Sequence, residues 1–176
     1  MTSEVLFTVL VLLVALERVA ELVVSNRNAA WAFARGGVES GRGHYPVMVV
    51  LHTGLLAGAL VEVWWRRPDT VPWLAWTMLG LVVASQALRW WCIATLGRQW
   101  NTRVIVVPGL PLVSAGPYRR IPHPNYVAVV VEGFALPLVH SAWTTAIVFT
   151  LANAVLLTVR IRVENRALAA AGGARA

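Results

Sequence analysis

Long apolar runs separated by short polar segments constrain this chain more than any other feature. Five runs approach the roughly 20 residues that a helix needs to cross a bilayer, and they lie at 5–24, 46–65, 72–97, 126–140 and 142–160. The mean hydropathy is +0.66, and only 13% of the residues are charged, which is unusual for a soluble domain. The sequence therefore predicts an all-α integral membrane protein with about five transmembrane helices.

The arginines predict the orientation of these helices. All 15 basic residues are arginine, and most of them follow the first, third and fifth runs. The positive-inside rule then places those segments in the cytoplasm and the N-terminus outside. Trp64, Trp65, Trp73 and Trp76 are expected to form an interfacial aromatic belt on the outer side. Because the arginines lie between apolar runs and not along one polar face, the net charge of +7 does not indicate a nucleic-acid partner.

The chain is expected to form one domain, residues 1–176, in three parts. Three N-terminal spans (1–97) precede a Pro-rich cytoplasmic connector (98–125), and a helical hairpin with a C-terminal helical extension follows (126–176). The prolines of the connector exclude a long helix there, and its β-branched run at 104–107 is typical of a short strand or an extended loop. The first run lacks a basic n-region and a signal-peptide cleavage site, so we expect it to be retained as a span.

Polar residues beside the apolar runs are candidates for chemistry. Arg160 and Glu164 lie four residues apart on one helix, so they can bind each other or a shared ligand. His123 precedes Pro124, a suitable first residue for the fourth helix, and the free N–H groups of a helix start suit an anionic group. The structural alternatives are an ion pair at a helix end and a simple turn. The single Cys92 excludes an internal disulfide and a cysteine-based zinc site, and we expect no metal.

The motifs at Gly116 to Tyr118, at His123 to Tyr126, and at Arg160 with Glu164 occur in this order within "GPYRRIPHPNY" and "RIRVENRAL". Together they resemble the isoprenylcysteine carboxyl methyltransferase family of integral-membrane enzymes over roughly residues 90–170. Two departures concern the substrate: Asn165 stands where the family often has a second acid, and five spans are fewer than the eight of the eukaryotic enzymes. These departures put a prenylcysteine substrate in doubt more than methyl transfer itself.

The resemblance implies S-adenosylmethionine as the cofactor, held on the cytoplasmic side by the connector, the last two helices and the C-terminal extension. It also places Arg160 at the junction of cofactor and acceptor, with His123 as a second catalytic candidate. The cofactor contacts that it implies are Leu110, Pro111, Leu112, Val113, Tyr118, His123, Pro124, Asn125, Tyr126 and Glu164.

Segments such as "LRWWCIATLGRQWNTRVIVVPG" are similar to a small bacterial branch of the family that is associated with type III polyketide synthases. This similarity implies O-methylation of a phenolic or enolic hydroxyl on an alkylresorcinol or alkylpyrone lipid, in a bacterial inner membrane with the site facing the cytoplasm. A prenylcysteine carboxyl methyltransferase, a nicotinamide-dependent membrane reductase and a non-enzymatic scaffold or transporter are the alternatives. The partners expected are a lipophilic small molecule and membrane lipids.

A phenol with a pKa near 10 needs a base at neutral pH. His44, His123 and Glu132 are the candidates for that base, although Glu132 could instead pair within the bundle. The spacing of Gly54 and Gly58 predicts close helix packing. Because such packing can occur within one chain or between two, it also allows a homodimer.

Overall fold

The computed structural model describes residues 2–172 of the chain. Met1 and residues 173–176 lie outside the described residues, and with them Arg175 of the predicted C-terminal charge cluster. The elements in chain order are α1 (Thr2–Phe33), β1 (Val38–Ser40), α2 (His44–Arg66), α3 (Pro72–Leu96), β2 (Val104–Val106), α4 (Pro124–Leu138) and α5 (Trp143–Ala170). The chain is mostly helical, as the apolar runs predict.

The helices form a bundle in which α4 packs between α3 and α5, while α2 packs against α5 and α1. Gly133 permits the close approach of α4 and α5, because a Cβ at this position would overlap the ring of Phe149. A buried apolar cluster includes Val11 of α1, Val63 of α2 and Leu136 of α4. Residues from the ends of α1, α3 and α5 and from the start of α4 lie around one cavity, so these helix ends meet at one end of the bundle, which we call the connector end.

Within the described residues 2–172, three helices are long and apolar enough to cross a membrane: His44–Arg66, Pro72–Gln99 and Trp143–Ala170. With 15 residues, α4 is shorter than the roughly 20 residues that a span needs. The longer α1 carries Glu17, Arg18 and Glu21 inside its apolar run. Large apolar side chains are exposed on the outer faces of the bundle, as expected for a surface in contact with lipid. A membrane protein is thus supported, while the number of five spans stays a prediction.

The charges of α1 turn inward and join a buried ionic cluster. Arg18 lies 2.8 Å from Glu21 and 3.4 Å from Glu132, and Arg89 of α3 lies 3.0 Å from Glu132 and 3.5 Å from Glu21. Buried charges are tolerated when they are paired in this way. Glu132 therefore joins α1, α3 and α4, which is the structural role that the sequence left open for it.

The connector end is covered by a small β-structure and a chain segment without α-helix. Residues 97–123 contain β2 and two short 3-10 helices, Gly97–Gln99 and Gly116–Arg119. The β-branched run is a strand, since β2 pairs antiparallel with β1 in the register Val38↔Val106. Arg103 donates hydrogen bonds to Glu39, so the two strands are also joined through side chains.

At the opposite end, Glu62 of α2 accepts hydrogen bonds from the backbone N–H groups of Thr144 (3.0 Å) and Thr145 (2.8 Å) and so caps the start of α5. Gly58 faces Thr145, so its small size serves packing within the chain. Gly54 faces open space, and the homodimer stays a prediction. Three of the four tryptophans of the expected belt are strongly exposed here, whereas their position in a bilayer stays a prediction.

Candidate active site

A cavity of about 230 Å³ opens at the connector end between the last turn of α1, β2, the connector, the start of α4 and the end of α5. The predicted residues that line it are Leu110, Leu112, Val113, Tyr118, His123, Asn125, Tyr126, Arg160 and Glu164. Pro111 is exposed, and Pro124 is buried within the first turn of α4. Neither of these prolines lines the cavity, and neither do His44 and Glu132.

The start of α4 sets the position of His123 and Tyr126. His123 is outside the helical conformation (φ −131°, ψ 65°), although its ψ falls short of the extended value predicted for a residue before proline, and Pro124 begins the helix, as expected for proline in a first turn. The rings of His123 and Tyr126 then stack with centroids 5.4 Å apart. Both side chains therefore face the end of α5.

Tyr126 connects Arg160 and Glu164, two of the charged residues of α5. Its hydroxyl donates a hydrogen bond to the Glu164 carboxylate and accepts one from Arg160 Nε at 2.9 Å. Within residues 2–172, Arg160 and Glu164 form no direct salt bridge. The alternative of a simple ion pair at the helix end is therefore wrong for this chain, because a neutral phenol lies between the two groups.

The guanidinium of Arg160 is held at the base of the cavity. Arg160 as a whole is only 6% exposed. Besides Tyr126, it donates from Nη2 to the carbonyl oxygen of Thr102 and from Nη1 to the sulfur of Met48 at 2.8 Å. These contacts tie α5 to the chain before β2 and to the second turn of α2.

Glu164 and His123 form the polar rim of the cavity. His123 Nδ1 lies 3.5 Å from Glu164, and its Nε2 lies 3.2 Å from Oδ1 of Asn165. Asn165, which stands where the family often has a second acid, thus orients the imidazole of His123. Burial raises the pKa of the nearby Tyr118 phenol, which keeps its hydroxyl protonated and able to donate a hydrogen bond.

Sequence reasoning missed the part of the cavity wall that α1 and the chain after α3 supply. Trp31 and Trp100 line the cavity, and Asn28 holds these segments together by donating to the carbonyls of Gly97 (3.1 Å) and Trp100 (2.7 Å). The signal in the sequence was the helical spacing of positions 25, 28, 29 and 32, which continue one helix face beyond the apolar run. The structure buries all four positions.

Two polar atoms of cavity-lining residues lack a hydrogen-bond partner among the described residues: the indole Nε1 of Trp100, a donor, and Oδ1 of Asn125, an acceptor. Buried polar groups are normally satisfied, so this pair is suited to a polar ligand. No group of three or more metal-ligating side chains occurs within residues 2–172.

Comparison with known proteins decides the family. The model of the isoprenylcysteine carboxyl methyltransferase (ICMT) family matches residues 78–170, just over half of the chain. The chain belongs to the isoprenylcysteine carboxyl methyltransferase family. The matched region contains most of α3 and all of the connector, α4 and α5, and with them the motif residues of the cavity.

The N-terminal half is shared with a bacterial relative of this family member. The uncharacterized protein YpbQ of Bacillus subtilis (strain 168) is 37% identical over 164 residues, which cover 93% of this chain and 96% of the relative. No solved structure matches the chain. The family supports a membrane methyltransferase, and the relative's name states no substrate.

Proposed function

We propose that this family member is an S-adenosylmethionine-dependent methyltransferase that methylates an oxygen of a lipophilic acceptor. The observation that carries this proposal is the convergence of Tyr118, His123 and Glu164, from three different elements, on one cavity. The cavity lies at the end of a bundle whose outer faces are apolar. A soluble cofactor and a membrane-embedded acceptor could both reach such a position.

The residues present fit this cofactor. Glu164 supplies a carboxylate suited to an ammonium or to ribose hydroxyls, and the unpaired Trp100 N–H and Asn125 Oδ1 suit the polar edge of a base. Leu112 and Val113 of the connector supply apolar contacts to a flat ring. When bound, S-adenosylmethionine supplies a methyl group on a positively charged sulfur.

The role of the chain is to orient the acceptor in a dry site. Arg160 is buried and positively charged, so it can hold an acceptor oxygen as an anion. The Tyr126 hydroxyl and the Thr102 carbonyl fix the position of its guanidinium. Precise placement of two reactants contributes much of the rate in such transfers, and a site of low polarity strengthens each charge interaction.

The acceptor that we propose is the phenolic or enolic hydroxyl of a long-chain alkylresorcinol or alkylpyrone lipid. Support comes from the apolar bundle, which can hold an alkyl chain, and from the cation at the base of the cavity, which suits an ionised ring oxygen. The arginine distribution supports a site on the cytoplasmic side, and the bacterial relative supports a bacterial inner membrane. The acceptor and the membrane location both belong to the proposal.

Among the three candidate bases, His44 is the one that we propose. His123 is engaged by Glu164 and Asn165, and Glu132 belongs to the ionic cluster. The ring of His44 packs beside Val163, less than one helical turn beyond Arg160, because Gly41 leaves space for it. Gly41 also has a φ of +67°, a conformation that disfavours a side chain there.

The experiment is a methylation assay with matched acceptors. Purified protein in detergent, given methyl-labelled S-adenosylmethionine, should label a long-chain alkylresorcinol but not its dimethyl ether. Labelling of a farnesylcysteine carboxylate instead would support the carboxyl methyltransferase alternative. Binding of NADPH with no methyl transfer would support the reductase and contradict the proposal.

A further inference from the structure

The buried guanidinium of Arg160 has only neutral partners. A phenol, a backbone carbonyl and a thioether accept its hydrogen bonds, and no carboxylate within residues 2–172 forms a salt bridge with it. Buried charges are normally paired with an opposite charge. This side chain, 6% exposed, has the Glu164 carboxylate only beyond the Tyr126 hydroxyl and is therefore prepared for an anion in direct contact.

The three neutral contacts differ in strength. Hydroxyl and carbonyl oxygens are good acceptors, whereas the thioether sulfur of Met48 is a weak one. Methionine is also unbranched and flexible, so it can move aside at small cost. The Nη1 edge of Arg160, which Met48 covers, is thus the edge that an anionic oxygen can occupy most easily.

One face of α2 lines this edge. His44, Met48 and His52 follow each other at intervals of four residues, so they lie along one side of the helix. The His44 ring lies beside Val163, Met48 contacts Arg160, and the His52 ring meets Phe149 edge-on at 5.3 Å. We call this row and the α5 residues that it faces the α2–α5 seam. It runs from the cavity toward the apolar part of the bundle.

We propose that the Nη1 edge of Arg160 is the binding position of the acceptor's reacting oxygen, and that Met48 is the side chain which the acceptor displaces. The ligand class is an amphiphile with an ionisable oxygen, whose apolar chain extends along the α2–α5 seam. This inference rests on the proposed function and deepens it. Met48 lies outside residues 78–170, the region that the family model matches, so the acceptor side of the site comes from the N-terminal half.

The carboxylate of the methyl donor offers the same anionic chemistry, so the test separates the two sources. The chain has three methionines, which makes 13C-methyl methionine a selective NMR label. Met48→Leu assigns the Met48 signal, and Met78 in the packed core is an internal control. We expect a long-chain alkylresorcinol, added to protein saturated with S-adenosylhomocysteine, to shift the Met48 methyl signal and leave that of Met78 unchanged.

The inference is overturned if the Met48 methyl signal does not shift. It is also overturned if the signal shifts with S-adenosylhomocysteine and shows no further shift with the alkylresorcinol. These outcomes leave the proposed function intact if the wild type still binds S-adenosylhomocysteine and methylates the acceptor. A wild type that does neither refutes the proposed function and this inference together.

A second variant tests the same edge through kinetics. Met48→Glu places a carboxylate beside Arg160, where it would compete with the acceptor, and Met48→Leu conserves volume without adding charge. We expect Met48→Glu to raise the acceptor KM by about tenfold or more, while the Kd for S-adenosylhomocysteine changes by less than about twofold. The acceptor KM should therefore rise more in Met48→Glu than in Met48→Leu, which adds no charge. An equal loss of both affinities in Met48→Glu would assign the edge to the methyl donor and contradict the inference.

Discussion

The hydroxyl of Tyr126 donates a hydrogen bond to the Glu164 carboxylate and so joins the first turn of α4 to the end of α5. The same oxygen accepts a hydrogen bond from Arg160. A phenol between a carboxylate and a guanidinium fixes both groups without letting them neutralise each other in direct contact. The cavity thereby keeps an anionic side at Glu164 and a cationic side at Arg160.

Tyr126→Phe should leave the fold intact and impair both sides of the site. Loss of one buried hydrogen-bond partner costs about 1–3 kcal/mol, so we expect the Kd for S-adenosylhomocysteine to rise by roughly tenfold and turnover to fall. Calorimetry and a methylation assay measure the two effects. Tyr45→Phe, in the first turn of α2, is the matched control, and a Tyr126→Phe variant that behaves like it would contradict the bridging role.

Arg160→Ala should separate turnover from cofactor binding. Because the guanidinium is proposed to hold the acceptor oxygen, we expect turnover to fall by about a hundredfold or more, with a much smaller change in the Kd for S-adenosylhomocysteine. Glu164→Ala should show the opposite pattern, with a larger change in the Kd for S-adenosylhomocysteine than in turnover. If the two variants lose the same property, the division of the cavity into two sides is wrong.

Asn28→Ala should destabilise the cavity wall from a distance. The amide holds the end of α1 to the carbonyls of Gly97 and Trp100, so its removal is expected to cost about 1–3 kcal/mol and to weaken cofactor binding. Asn26→Ala, exposed on the same turn, is the control and should match the wild type. Thermal unfolding in detergent and calorimetry provide the measurements.

Glu132→Ala distinguishes an ionic tether from a catalytic base. Removing this carboxylate takes one shared partner from Arg18 and Arg89, while Glu21 stays in contact with both, so stability is expected to fall by about 1–3 kcal/mol. At a temperature where the variant is still folded, its Kd for S-adenosylhomocysteine should equal that of the wild type. Unchanged thermal stability combined with lost turnover would instead identify Glu132 as the base.

Protonation of Glu39 at low pH is expected to weaken the β-structure over the cavity. The hydrogen bonds from Arg103 lower the pKa of the Glu39 carboxyl below its ordinary value. Its contribution to stability is therefore present above the ordinary glutamate pKa, near 4.3, and is lost as the pH falls through the lower folded-state pKa. Glu39→Gln should lower the melting temperature at neutral pH and reduce its decrease toward acid pH. Parallel pH profiles for both proteins would contradict this role.

The sequence predicted the parts of the structure that depend on local patterns. The apolar runs locate α2, α3 and α5 closely, and the His-Pro step gives the start of α4 at Pro124. The three motifs identify most of the cavity residues, because each motif lies at a helix end or in the connector. These features require only the period of the apolar residues and the conformational limits of proline.

The parts that could not be predicted depend on contacts between distant segments. The strand Val38–Ser40 has no apolar alternation of its own and exists through its pairing with β2. The contact of Met48 with Arg160 joins residues 112 positions apart, and nothing near Met48 marks it as part of a site. The apparent ion pair of Arg160 and Glu164 was misleading for the same reason, because Tyr126 comes from another helix.

Calorimetry in detergent shows whether the protein binds S-adenosylhomocysteine, the product of the methyl donor. We expect saturable binding of one molecule per chain by the wild type, and an affinity lower by about tenfold or more in Glu164→Ala, which should retain the wild-type helical content. Absence of binding by the folded wild type, or equal affinity in the two proteins, would contradict a cofactor site in this cavity.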